Sequence, residues 1–86
     1  MKKIIQDFTD VIAGEDVRVR YYKDDETGLY SFQTNPQLRD KDQLDYHNFG
    51  GGSSIDKDLE GLKFKYENSY KKEFKNIVDK KENPDF

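Results

Sequence analysis

Along the chain the apolar positions change period several times. Ile4, Ile5, Phe8, Val11 and Ile12 fall at steps of 1, 3, 3 and 1, which would gather all five on one helical face. With Gly14 supplying the left-handed residue that helix ends favour, the pattern predicts a helix over residues 2–13. Its opposite face would carry Lys3, Gln6, Asp7 and Asp10. From residue 17 the period is two. Val17, Val19 and Tyr21 alternate with Arg18, Arg20 and Tyr22; after KDDETG, Tyr30 and Phe32 alternate with Ser31 and Gln33. That alternation predicts a β-hairpin, with Gly28 placed to take a positive φ at its turn.

Residues 35–54, NPQLRDKDQLDYHNFGGGSS, hold turn formers and scattered apolar residues. A connection of that length is expected either to hide a short element or to be functional. Leu38, Leu44, Tyr46 and Phe49 are its candidate anchors to the core. Leu62, Phe64 and Tyr66 then alternate with Lys63, Lys65 and Glu67, predicting a third strand. Tyr70, Phe74, Ile77 and Val78 return to helical spacing, with Asn68 or Ser69 as N-cap and Pro84 past the end. Lys80 and Lys81 would sit where the helix dipole favours cations.

The order helix, strand, strand, long loop, strand, helix predicts one α+β domain over residues 1–86. It would be a two-layer sandwich, a three-stranded antiparallel sheet with N- and C-terminal helices on one face. Val17, Val19, Tyr21, Tyr30, Phe32, Leu62, Phe64 and Tyr66 would point inward.

Composition narrows the function classes. Leu, Ile, Val and Phe number 5, 5, 4 and 6 in 86 residues, while 38% of the chain is charged. So small a core leaves no room for a deep pocket, and the six tyrosines must help to fill it. There is no cysteine, so disulfides and thiolate metal sites are excluded and thiol chemistry does not identify the compartment; a cytoplasmic setting is expected. Asp7 and Asp10 interrupt what would have to be the apolar region of a signal peptide, and no run is long enough to cross a bilayer; no membrane partner is expected. Residues 1–60 hold 8 basic and 13 acidic side chains, whereas residues 61–86 hold 7 and 5.

Two surfaces follow from that asymmetry. The acidic one comprises Asp24, Asp25, Glu26, Asp40, Asp42 and Asp45, with Tyr46, His47 and Phe49 beside them and Asp56 and Asp58 further on. Such a set suits a cationic protein partner, because complementary charge speeds encounter and tyrosine supplies contact area at low entropy cost. In size and composition the chain resembles small phage or mobile-element products that inhibit a host enzyme, such as anti-CRISPR proteins. The resemblance implies an inhibitor working by contact in the host cytoplasm.

The second surface is basic. The sheet face opposite the helices would carry Arg18, Arg20, Tyr22, Lys63 and Lys65, a set able to touch phosphates and stack a base. The predicted element order also resembles the double-stranded-RNA-binding domain. SYKKEFKNIV, residues 69–78, is similar to the start of that family's second helix, where lysines meet phosphates across a groove. The resemblance implies phosphate contacts for Lys71, Lys72 and Lys75. The chain departs from the family at Phe74, where alanine is preferred, and the net charge of −3 favours the protein partner over the nucleic acid.

Metal and catalytic chemistry find less. In DKDLEGLKFKYE, Asp56, Asp58, Glu60, Gly61 and Glu67 take positions 1, 3, 5, 6 and 12 of a calcium loop, but Lys63 stands where that loop needs an apolar residue. HNFGGGSS, residues 47–54, lacks the lysine of a phosphate-binding loop, having Ser53 in its place. It is expected to act as a flexible hinge. His47 is the sole imidazole available to activate Ser53 or Ser54, so the chain is expected to be neither an enzyme nor a carrier of a cofactor.

Overall fold

The computed structural model describes residues 1–47 and 49–86. The elements run β1 (Lys2–Ile12), β2 (Glu15–Asp24), β3 (Tyr30–Asn35), β4 (Gln37–Asp40), β5 (Ile55–Asp56), α1 (Leu59–Lys65) and β6 (Ile77–Lys81). Between α1 and β6 lie a wide π-helical turn, Tyr66–Tyr70, and a 3₁₀ turn, Lys71–Glu73. Four strands form an antiparallel sheet in the order β1-β2-β3-β5, and β4 pairs with β6 in a separate two-stranded sheet. The expected three-stranded sheet under two terminal helices is therefore overturned.

The N-terminal segment is a strand, not a helix. Phe8, Asp10 and Ile12 face the core while Asp7, Thr9 and Val11 face out. What imitates a helical stripe is a register shift: Ile4 pairs with Tyr22 and Gln6 with Tyr21, leaving Ile5 as an extra residue. That bulge moves Ile4 out of phase with Phe8. Gly14 ends a strand: Ala13 and Gly14, with φ of 49° and 84°, form the loop between the paired residues Ile12 and Glu15. Positive φ at both central positions is what a two-residue hairpin turn requires to match strand twist.

The β2–β3 hairpin lies where alternation predicts it, with Tyr21 opposite Phe32 and Val19 opposite Thr34. The expected third strand is instead α1. Leu62 and Tyr66, four apart, satisfy a helical spacing as well as an alternating one, and the residue that differs, Phe64, is 65% exposed. Asp58 caps α1, its side chain accepting from Gly61 N at 2.7 Å.

Leu62, Tyr66, Tyr70 and Phe74 are all buried at a constant spacing of four. On a regular α-helix each such step overshoots a full turn by about 40°. The wider π turn offsets the drift and keeps Tyr66 and Tyr70 over the sheet. The predicted C-terminal helix stops here. Asp40 accepts from Lys75 N at 2.6 Å and from Asn76 N at 2.7 Å, taking up two donors that a continuing helix would use. The chain then extends into β6, and Val78, expected inside, is exposed. Lys80 and Lys81 pair with Leu38 and Gln37 of β4 rather than ending a helix.

Phe32 is the hub of the core, with ring centroids 5.4 Å from Tyr66 and 5.1 Å from Tyr70, both edge to face. Such contacts are worth about 0.5–1.5 kcal/mol each beyond area burial. The buried hydroxyls are satisfied: Tyr66 donates to Asp10 Oδ2 at 2.6 Å, and Tyr70 lies 3.0 Å from Thr34 Oγ1. Asn83, also buried, bonds Gln33, Thr34 and Asn35, tying the chain after β6 to β3. Among the described residues no helix is long and apolar enough to cross a membrane.

Candidate protein-binding surface

The segment after β4 is held at both ends. Gln43 N donates to Asp40 O at 3.0 Å, Asp40 N donates to Gln43 Oε1 at 2.9 Å, and Arg39 Nη1 donates to Gln43 O at 3.0 Å. Gln43 Nε2 reaches Glu73 Oε2 at 3.2 Å. Beyond the tip, the His47 side chain is 6% exposed. Its ring stacks on Phe32 at 6.1 Å and meets the edges of Tyr70 at 4.7 Å and Phe49 at 5.1 Å.

Between these fixed points stands Leu44, with a relative exposure of 103%. It does not anchor the segment to the core, as its type suggested; Tyr46, His47 and Phe49 are partly buried and Leu38 fully so. Asp42 and Asp45 flank it on the exposed side, and Asp45 Oδ1 accepts from Tyr46 N at 2.8 Å. The Tyr46 ring receives Lys81 Nζ at 4.8 Å, and a hydrogen bond with Asp79 pushes its hydroxyl pKa up. Beside the tip, Gln37, Asp45, Tyr46, His47 and Lys81 line an open concavity of about 360 Å³. A protruding apolar residue next to a concavity is a shape another protein can grip.

Burial keeps the His47 imidazole neutral, lowering its pKa to about 4. Its Nδ1 lies 3.7 Å from Glu73 Oε2, and its Nε2 has no hydrogen-bond partner among the described residues. Ser54 is buried and structural: its Oγ accepts from Gly50 N at 2.9 Å and donates to Gly51 O at 3.2 Å. Lys65 Nζ adds bonds to Gly52 O at 2.9 Å and Ile55 O at 2.7 Å. The glycine run expected as a hinge is thus a turn closed from both sides.

The remaining acidic candidates do not join one patch. Asp24 and Glu26 face the Met1 amino group at 3.5 and 3.7 Å, and Asp25 faces Lys3 at 3.2 Å, all around the β2–β3 turn. Asp40 is 4% exposed and corrects the expectation of a surface contact. The hydrogen bonds it accepts from the Lys75 and Asn76 amides hold its pKa below the usual carboxylate value.

Four of the seven basic candidates are already paired. Arg18 and Arg20 both reach Asp7 Oδ2, at 2.8 and 3.0 Å, and both lie over the Phe86 ring. Lys65 also meets Asp56 at 3.3 Å, and Lys71 meets Asp10 at 3.0 Å and Glu67 at 3.3 Å. Lys63, Lys72 and Lys75 sit on α1, on the 3₁₀ turn and on the approach to β6, while Tyr22 is half-buried in β2.

The calcium pattern resolves into a helix cap. Asp56 Oδ1 accepts from Asp58 N at 3.1 Å, Asp58 caps α1, Glu60 lies in its first turn, and Glu67 is in the π turn bound to Lys71. Among the described residues no three His, Asp or Glu side chains converge on a common point. No family model matches this chain, and comparison with curated proteins and with solved structures found no match. Leu44, expected as a core anchor, stands exposed at the candidate site; a leucine flanked by acids in a turn-rich stretch is the signal that points to this.

Proposed function

We propose that this chain is a non-enzymatic protein-binding domain that inhibits its partner by direct contact in the cytoplasm. Leu44 is the centre of the contact, Asp42 and Asp45 form its rim, and the partner offers an apolar pocket bordered by basic residues. The observation that carries this reading is the fully exposed leucine on a stem tied by Gln43 and His47. An apolar group already held in position loses little conformational freedom when a pocket closes over it. The acidic rim adds charge steering.

The inhibitory part of the reading draws on the resemblance in size and composition to phage-encoded inhibitors. Nucleic acid is the weaker alternative, because Arg18, Arg20, Lys65 and Lys71 are occupied by internal acceptors. The test compares wild-type and Leu44→Ala proteins as baits in extract from cells that encode the chain. A protein retained by the wild type and lost with Leu44→Ala supports the proposal; identical retention by both baits overturns it.

A further inference from the structure

β1 is an outer strand of the four-stranded sheet and, among the described residues, pairs with β2 alone. Its 11 residues leave one whole side of backbone donors and acceptors without a ladder partner. Sheets protect such edges by keeping them short, by bulges and by lysines. The opposite edge, β5, is indeed only 2 residues long. On β1 the lysines and the bulge lie at the N-terminal end, at Lys2, Lys3 and Ile5, while the charges further along, Asp7 and Asp10, are taken up by Arg18, Arg20, Tyr66 and Lys71. From Gln6 to Ile12 the ladder runs without interruption. On the outward face, Ile4 is 52% and Val11 57% exposed.

We propose that β1 pairs antiparallel with β1 of a second copy of this chain, around a two-fold axis beside Phe8. The register follows from the bulge. Because Ile5 is the extra residue, Ile4 stands three ladder positions from Phe8 on one side, and Val11 stands three on the other. Pairing centred on Phe8 therefore places Ile4 of each copy opposite Val11 of the other, both on the outward face. Directly opposed apolar pairs of this kind are the unit of sheet stabilisation.

Charge agrees with this register. Asp7 falls opposite Thr9, Gln6 opposite Asp10, and Lys3 diagonal to Asp10, so no like charges are directly opposed; the two Asp7 carboxylates are diagonal to each other, and each is already paired with Arg18 and Arg20. Moving the axis to Asp7 would set that carboxylate against its own copy. Moving it to Thr9 would set Val11 against Asp7. A two-fold contact is also self-complementary, as closed dimers require. The dimer would present two Leu44 loops, yet the inference rests on β1 and is independent of what Leu44 binds.

The chain has no cysteine, so introduced thiols report on the register alone. Sedimentation equilibrium of the wild type is expected to give the dimer mass. Ile4→Lys/Val11→Lys, changing only exposed positions, is expected to give the monomer mass with an unchanged circular dichroism spectrum. Under mild oxidation, mixed Ile4→Cys and Val11→Cys chains are expected to cross-link more than either does alone. A wild type that stays monomeric at every soluble concentration overturns the proposal, as does mixed cross-linking no greater than that of the single variants.

Discussion

The Tyr66 hydroxyl donates to Asp10 Oδ2 at 2.6 Å, and Lys71 Nζ lies 3.0 Å from the same oxygen. One carboxylate of β1 thereby fixes the π turn and the 3₁₀ turn above the sheet. Burial opposes the ionisation of Asp10, but the bonds from Tyr66 and Lys71 outweigh it and hold the pKa below the usual carboxylate value. Burial first, and then the bond to Asp10, push the Tyr66 pKa up.

Removing that hydroxyl should therefore cost stability. Tyr66→Phe is expected to lose about 1.5–3 kcal/mol in urea unfolding, the range for a hydrogen bond to a charged group. In a cycle with Asp10→Asn, the two losses are expected to be less than additive, because each removes the same contact. Fully additive losses would mean that the contact does not hold the turns.

Gly61 tests the cap of α1. Alanine in a helix is normally favoured over glycine by about 1 kcal/mol. Here a Cβ at position 61 would run into the Asp56 carboxylate, which is held by Asp58 N at 3.1 Å and Lys65 Nζ at 3.3 Å. Gly61→Ala is expected to destabilise by about 1–3 kcal/mol, the usual cost of overpacking. Asp56→Ala should make the alanine favourable again, giving a large coupling energy in a double-mutant cycle.

His47 makes stability depend on pH. Its folded pKa is lowered by burial from 6.5 to about 4. Between those values the unfolded chain takes up a proton that the folded chain refuses, so stability falls as pH drops through that window. The full effect is on the order of 3 kcal/mol. Glu73, which burial holds above its ordinary pKa, works the other way, losing stability as pH rises. His47→Phe, which keeps a ring against Phe32, is expected to flatten the slope of melting temperature from pH 6.5 to about 5, above the range in which Asp10 and Asp40 take up protons. An unchanged slope would contradict the buried neutral imidazole.

The β2–β3 hairpin was legible because β-branched Val17 and Val19 alternate with Arg18 and Arg20, and a second alternating run follows the polar KDDETG turn. Residues 2–12 were not, because the bulge at Ile5 shifts the phase of the apolar positions and so imitates a helix. Residues 62–66 were ambiguous for a different reason: Leu62 and Tyr66 satisfy both periods, and only tertiary packing turns Phe64 outward. The end of the last helix is decided by Asp40, 35 residues from Lys75, and no local pattern could announce it. At the candidate site the acidic residues were visible but their roles were not. Asp40 and Asp42 look alike in sequence, yet one is buried under backbone donors and the other stands beside Leu44.

The central claim, that Leu44 is the point of contact with a protein partner, is tested most directly by photo-cross-linking. A photoreactive side chain would be placed at position 44 and, as a control, at the exposed position 57. One partner protein is expected to be captured from position 44 and not from 57, with the yield lowered by Asp42→Asn/Asp45→Asn and by excess unlabelled wild type. Equal products from both positions, or none from position 44, would contradict it.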